Sequence, residues 1–123
     1  MTIDTRISRR IAILDVHGKL AVEEGAGELR ARVKELTSSG YRQFILNLGD
    51  VGRVDSTGIE ALVSSYTTVR KEGGELKFAN IAGRLHDLLE ITQLLTVFET
   101  YEGETQAIES FFPAEVSRAP RFE

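Results

Sequence analysis

The sequence predicts an α/β fold: one domain with a mixed four- to five-stranded sheet and about four helices, in the order β-β-α-β-α-β-α-(β)-α. Three observations lead there. The chain opens with two β-branched segments joined by a very short connection, as in a hairpin. Segments with apolar residues at helical spacing then alternate with short apolar runs, the signature of β-α units. Finally, 123 residues with a 41% hydrophobic fraction can build one apolar core and have no room for a second.

Residues 3 to 8 alternate, with Ile3, Thr5 and Ile7 on one side, which predicts a half-exposed strand. Ser8-Arg9-Arg10 turns it back into Ile11 to Val16, a second β-branched strand that Gly18 is expected to end. From about Glu24 to Ser38 the residues Ala26, Leu29, Val33 and Leu36 recur at steps of three and four, one stripe of a helix. Gly25 and Gly27 weaken its first turn by roughly 1 kcal/mol each relative to Ala, and Ser39-Gly40 supplies a stop.

Phe44 to Leu48 is almost continuously apolar, as a strand covered on both faces must be. A break is expected over Gly49 to Val54. The clearest helix of the chain follows, carrying Ile59, Leu62, Val63, Tyr66 and Val69. Gly73-Gly74 closes it and leads into a strand over Glu75 to Ala79. A right-handed crossover through this helix would make the strands on either side of it parallel. Arg84 to Glu90 predicts a third helix, Val97-Phe98 a short edge strand, and Thr105 to Phe112 a last helix stopped by Pro113. The domain is thus expected to occupy residues 1–112, with a flexible C-terminal tail over residues 113–123, which has little to bury.

Composition narrows the function. With no cysteine there is no disulfide framework, thiol nucleophile or thiolate zinc site. The opening Met-Thr-Ile-Asp has no signal-peptide character, and no window approaches the roughly 20 apolar residues of a membrane span. A cytoplasmic protein without a membrane partner is the expectation. Charges of both signs are interspersed at a net −4, and Arg9-Arg10 and Arg70-Lys71 are isolated pairs. Direct nucleic-acid binding, which draws its affinity from a concentrated positive face, is not expected.

In open α/β sheets functional groups gather where strand ends meet helix starts. The segment Val51 to Gly58 stands at such a place, with Asp55, Ser56 and Thr57 in succession before the best helix. Capping explains much of this: Thr57-Gly58-Ile59-Glu60 fits the T-x-x-E capping box, and Asp55, Ser56 or Thr57 can each cap a helix. No nucleophile–base constellation, paired carboxylates at catalytic spacing or phosphate-cradling glycine loop is present, so no enzyme activity and no cofactor are expected. His17 and His86 are far apart in sequence. His86 and Glu90, at i and i+4, read as a solvated helix face more readily than as a metal site, and no metal is expected. Ser38-Ser39 and Ser64-Ser65 read as a helix end and a small-residue packing face.

The string Asp55-Ser56-Thr57-Gly58-Ile59 resembles the D-S-[ST]-G-[LI] signature of STAS-domain anti-sigma factor antagonists. Its context matches too: the apolar strand Phe44–Leu48 before it, Gly73-Gly74-Glu75-Leu76 after it, the Leu14-x-x-x-Gly18-x-Leu20 segment, and helix 84–90 with Leu94-Leu95-Thr96-Val97-Phe98. The resemblance covers residues 3 to 112. It implies a binding switch in which Ser56 is the phosphate acceptor, Asp55 orients its hydroxyl or meets the kinase, Thr57 and Gly58 form the helix start, and Asp55, Thr57, Gly58 and Ile59 make up the partner-binding motif. The implied partners are an anti-sigma factor with serine kinase activity, bound by the unmodified form so that a sigma factor is released, and a PP2C-type phosphatase.

Two segments depart from the family pattern: Ala21-Val22, where an Asp is often found, and Arg53, where an apolar or aromatic residue is common. Arg53 reads either as a solvated residue, the more ordinary case, or as a group able to approach a phosphate on Ser56. A second function keeps the fold and drops the phosphorylation: an accessory or scaffold subunit, docked on a lipid-transport ABC complex or in a stress-sensing assembly, using the face of Ile59, Leu62 and Val63. The oligomeric state is left open by the sequence, including whether the edge at residues 3 to 8 pairs with a second copy.

Overall fold

The first hairpin turns on two arginines. In the computed structural model, which describes residues 2–22, 25–81 and 83–113, Arg9 and Arg10 take φ of 53° and 70°. Positive φ at both central residues of a two-residue loop is what the right-handed twist of the flanking strands demands. The loop joins β1 (Thr2–Ser8) to β2 (Ile11–Leu20) in antiparallel register, from Ser8 opposite Ile11 to Thr2 opposite His17.

After β2 come α1 (Ala26–Ser38), β3 (Gln43–Val54), α2 (Ser56–Lys71) and β4 (Glu75–Ala79). The chain continues through α3 (Gly83–Ile91), a 3₁₀ turn (Leu94–Thr96), β5 (Thr100–Tyr101) and α4 (Glu104–Glu109). The five strands lie in the order β1-β2-β3-β4-β5, with β1 antiparallel to β2 and every other pair parallel. The mixed sheet and the parallel β3–β4 pair are those the sequence predicts.

Several boundaries differ from expectation. Gly18 does not end β2. It takes φ of 104° inside the strand, and the β2–β3 register shifts between Asp15 and His17 and again between Gly18 and Lys19. The strand is bent there, as at a bulge. Nor does a break follow Leu48: β3 runs on to Val54, pairing His17, Gly18, Lys19 and Leu20 with Asp50, Val51, Arg53 and Val54. Backbone pairing with the lengthened β2 holds this segment although its side chains are mostly exposed.

The edge strand is Thr100–Tyr101, paired with Phe78 and Ala79, and not Val97-Phe98. Those two residues close the 3₁₀ turn, with both amides donating to the Leu94 carbonyl. The Phe98 ring is buried and stacks on Phe78 at 4.4 Å between centroids. The last helix ends before Ser110, not at Pro113, and Phe111 and Phe112 fold back against the sheet. Glu24, the expected start of α1, and residues 114–123 of the expected tail lie outside the described residues.

Alternation along the strands divides the interior in two. Ala12, Leu14, Val16, Phe44, Leu46, Leu76 and Phe78 face α1, α2 and α3 in the main core, where Leu29, Val33, Ala61, Leu62, Val69, Leu85 and Leu89 meet them. Ile11, Ile13, Ile45 and Ala79 face the other way and are covered by Ala107, Ile108, Phe111 and Phe112. Coverage on both faces is why β2 and β3 are continuously apolar in their first halves. Lys77, 4% exposed, lies under this smaller layer, where its ammonium donates to Ser110 Oγ at 2.8 Å and faces the Phe111 ring at 4.1 Å. No helix among the described residues is long and apolar enough to cross a membrane.

Candidate functional site

Asp55 sits between the end of β3 and the start of α2, with extended backbone (φ −118°, ψ −174°), and is the N-cap of the helix. Its Oδ1 accepts from the Gly58 amide at 2.9 Å, the expected use of a carboxylate against free helix N–H groups. Its Oδ2 accepts from the Val22 amide at 3.0 Å, and its own amide donates to the Leu20 carbonyl at 3.4 Å. The carboxyl is held below the ordinary Asp range, first by the Gly58 and then by the Val22 hydrogen bond. Asp55 therefore fastens the end of β2 to the start of α2. Its two oxygens are engaged by backbone, and no bond to the Ser56 hydroxyl is formed.

Ser56 is the first residue of α2 and is exposed, and its hydroxyl makes no hydrogen bond among the described residues. Thr57 lies inside the helix at its second position, so the T-x-x-E box is not the cap; Asp55 is. Gly58, expected at the partner-binding motif, is buried. A Cβ there would fall 1.9 Å from the Leu20 carbonyl oxygen. Its part is to let α2 pack against the end of β2. Ile59 and Val63 are half-buried, but Leu62 is fully buried in the main core and offers nothing to a docking partner.

Beside Ser56 a groove of about 780 Å³ opens between α2 and α3, lined by Arg53, Val54, Asp55, Ser56, Ile59, Glu60, Arg84, Leu88 and Thr92. The motif thus gains three neighbours from or just beyond α3 that the sequence did not single out: Arg84, Leu88 and Thr92. Val22, on the other side of the Asp55 clasp, is 68% exposed. Only the departure of Ala21-Val22 from the family pattern hinted at it.

This arrangement displays a hydroxyl without activating it. Neither histidine lines the groove. His17 stands elsewhere, with Nδ1 2.8 Å from Asp50 and Nε2 3.4 Å from Asp4. His86, Asp87 and Glu90 bring ligand-type atoms within 4.8 Å of one another, but all three are exposed on α3.

The chain and its fold are similar to those of known proteins. The chain is 30% identical over 99 residues to the anti-sigma-B factor antagonist of Bacillus subtilis (strain 168), covering 80% of this chain and 89% of that protein. A Thermotoga maritima protein assigned as an anti-sigma factor antagonist superposes with a TM-score of 0.82 at 22% identity, over 88% of this chain and 92% of that one. The anti-sigma factor antagonist SpoIIAA in its unphosphorylated form gives 0.71 at 14% identity, over 89% and 97%. SpoIIAA of Bacillus has also been solved in a phosphorylated form, with a TM-score of 0.70. At these identities the three structural likenesses establish a common fold. The STAS domain model matches residues 2–107, nearly all of the described chain, and the chain belongs to the STAS domain family.

Proposed function

We propose that the protein is an anti-sigma factor antagonist whose binding is switched at Ser56. In the unmodified state it binds an anti-sigma factor that is also a serine kinase, and so frees a sigma factor. Phosphorylation of Ser56 ends that binding, and a PP2C-type phosphatase restores it. One observation carries the reading: Ser56 presents an exposed, unengaged hydroxyl at the first position of α2, on a turn that Asp55 holds rigid from both sides. The names of the B. subtilis relative and of SpoIIAA, the latter solved with and without phosphate, point the same way.

Physical chemistry supplies the mechanism. A phosphoserine adds about −1.5 to −2 charges and three acceptor oxygens. The start of a helix tolerates that charge, since free amides and the positive end of the dipole face it. A partner surface that had buried a neutral hydroxyl would have to desolvate a dianion, which costs an interface several kcal/mol unless new pairing compensates. The switch acts on contact chemistry, without refolding. Calorimetric titration of a candidate anti-sigma factor tests it: Ser56→Ala is expected to bind as the unmodified protein does, and Ser56→Glu at least about tenfold more weakly. Equal affinities of the two variants would refute the switch.

A further inference from the structure

We propose that a phosphoryl group on Ser56 is held within this chain by Arg53 and Arg84, which draw it into the groove between α2 and α3. The proposal rests on the reading of Ser56 as a phosphate acceptor and adds what becomes of the phosphate once it is there. Transfer from a nucleoside triphosphate forms the Oγ–P bond, breaks the bond to the departing diphosphate and releases the hydroxyl proton.

The two arginines come from different elements, the end of β3 and the first turn of α3, yet they line the same hollows. Both line the groove that contains Ser56, and both line the smaller adjoining hollow of about 240 Å³ formed with Val51, Gly52 and Gly83. Both are exposed, and among the described residues neither guanidinium is engaged in a salt bridge or hydrogen bond. Of the two carboxylates in the groove, Asp55 accepts from the Gly58 and Val22 amides and also feels the charge of Arg53, so a phosphate draws Arg53 in competition with Asp55 and Glu60.

Two guanidinium forks beside one unengaged hydroxyl are what a phosphate monoester needs, because arginine pairs with it through two parallel N–H···O bonds. Arg84 is what the structure adds to the motif. Once seated, the phosphate lies in the groove whose apolar lining is Val54, Ile59 and Leu88, and places charge beside those side chains. Phosphorylation then both adds charge and takes up the part of the groove next to Ser56.

The test uses the full chain with phosphoserine placed at position 56 during translation, so that no kinase or partner is needed. The charged groups facing the phosphate are Arg53 from β3, Asp55 and Glu60 from the start of α2, and Arg84 from α3. ³¹P NMR follows the second ionisation of the phosphate, near pH 6 for a free phosphoserine. It is expected to lie about half a unit or more lower in the parent chain than in the Arg53→Gln/Arg84→Gln variant, with each single variant between them. Arg53→Lys/Arg84→Lys should retain part of the shift. Because both side chains are exposed, the variants should melt as the parent does; were the double variant to unfold, the single variants would decide. Identical ionisation in all variants overturns the latch while leaving the Ser56 switch standing, and failure of the partner titration does the reverse.

Discussion

A methyl group at position 58 would meet the Leu20 carbonyl carbon at 2.8 Å as well as its oxygen, in backbone that is itself paired with β3. Gly58→Ala is therefore expected to lower stability by about 1–3 kcal/mol, read from urea unfolding, as overpacking at a site that cannot relax does. Ser65 presents the opposite case: its hydroxyl is buried on α2 with no hydrogen-bond partner among the described residues. Ser65→Ala removes that uncompensated group and improves helix propensity, and should stabilise the protein by about 0.5–1 kcal/mol in the same assay. The motif residues themselves were legible as a string. Which of the three polar residues caps the helix was not, because Asp, Ser and Thr all cap well. The choice fell to Asp55 because only its position offers the second carboxylate oxygen to Val22, a residue 33 positions away.

Between elements, the first two strands are tied to α4 by charge. Arg6 on β1 donates to Asp15 on β2 and to Glu104 on α4, and Asn47 on β3 donates to Asp15 at 2.9 Å. The Arg6 hydrogen bond holds the Asp15 carboxyl below its ordinary range, against a desolvation that pushes it up. A carboxyl depressed in the folded state contributes stability above its unfolded value, near 4, and loses it as pH falls through the lower folded value. Asp15→Asn should accordingly flatten the dependence of the urea midpoint on pH below about 4 while the parent chain keeps its slope. Phe98 joins the 3₁₀ turn to the sheet through Phe78, with Tyr66 tilted against it at 5.2 Å. Phe98→Ala should cost about 3–5 kcal/mol and loosen the approach to β5, visible as faster amide exchange at Thr100 and Tyr101. The sequence marked Val97-Phe98 as apolar and β-prone. It could not show that the ring would be used inward, as a stacking partner, and not as part of an edge.

Over the whole molecule, the groove and the smaller core lie on opposite faces of one sheet, joined by strands buried on both sides. Such a sheet transmits little of a change in surface charge, since a close-packed interior does not deform continuously. Phosphate at Ser56 is expected to move amide resonances around residues 20–22, 53–60 and 84–92 and to leave those of β1 and α4 in place; widespread shifts would show that modification refolds the domain. The sequence by itself determined the alternation of elements, the apolar centres of β2, β3 and β4, and the serine at the head of the best helix, because periodicity and capping are local and each is written in consecutive residues. Only the tertiary structure decided that β3 continues to Val54, that Asp55 clasps Val22, and that Arg84 lines the same groove as Ser56. Those outcomes depend on backbone pairing and on the packing of α3 against β3, between residues that nothing in their spacing connects.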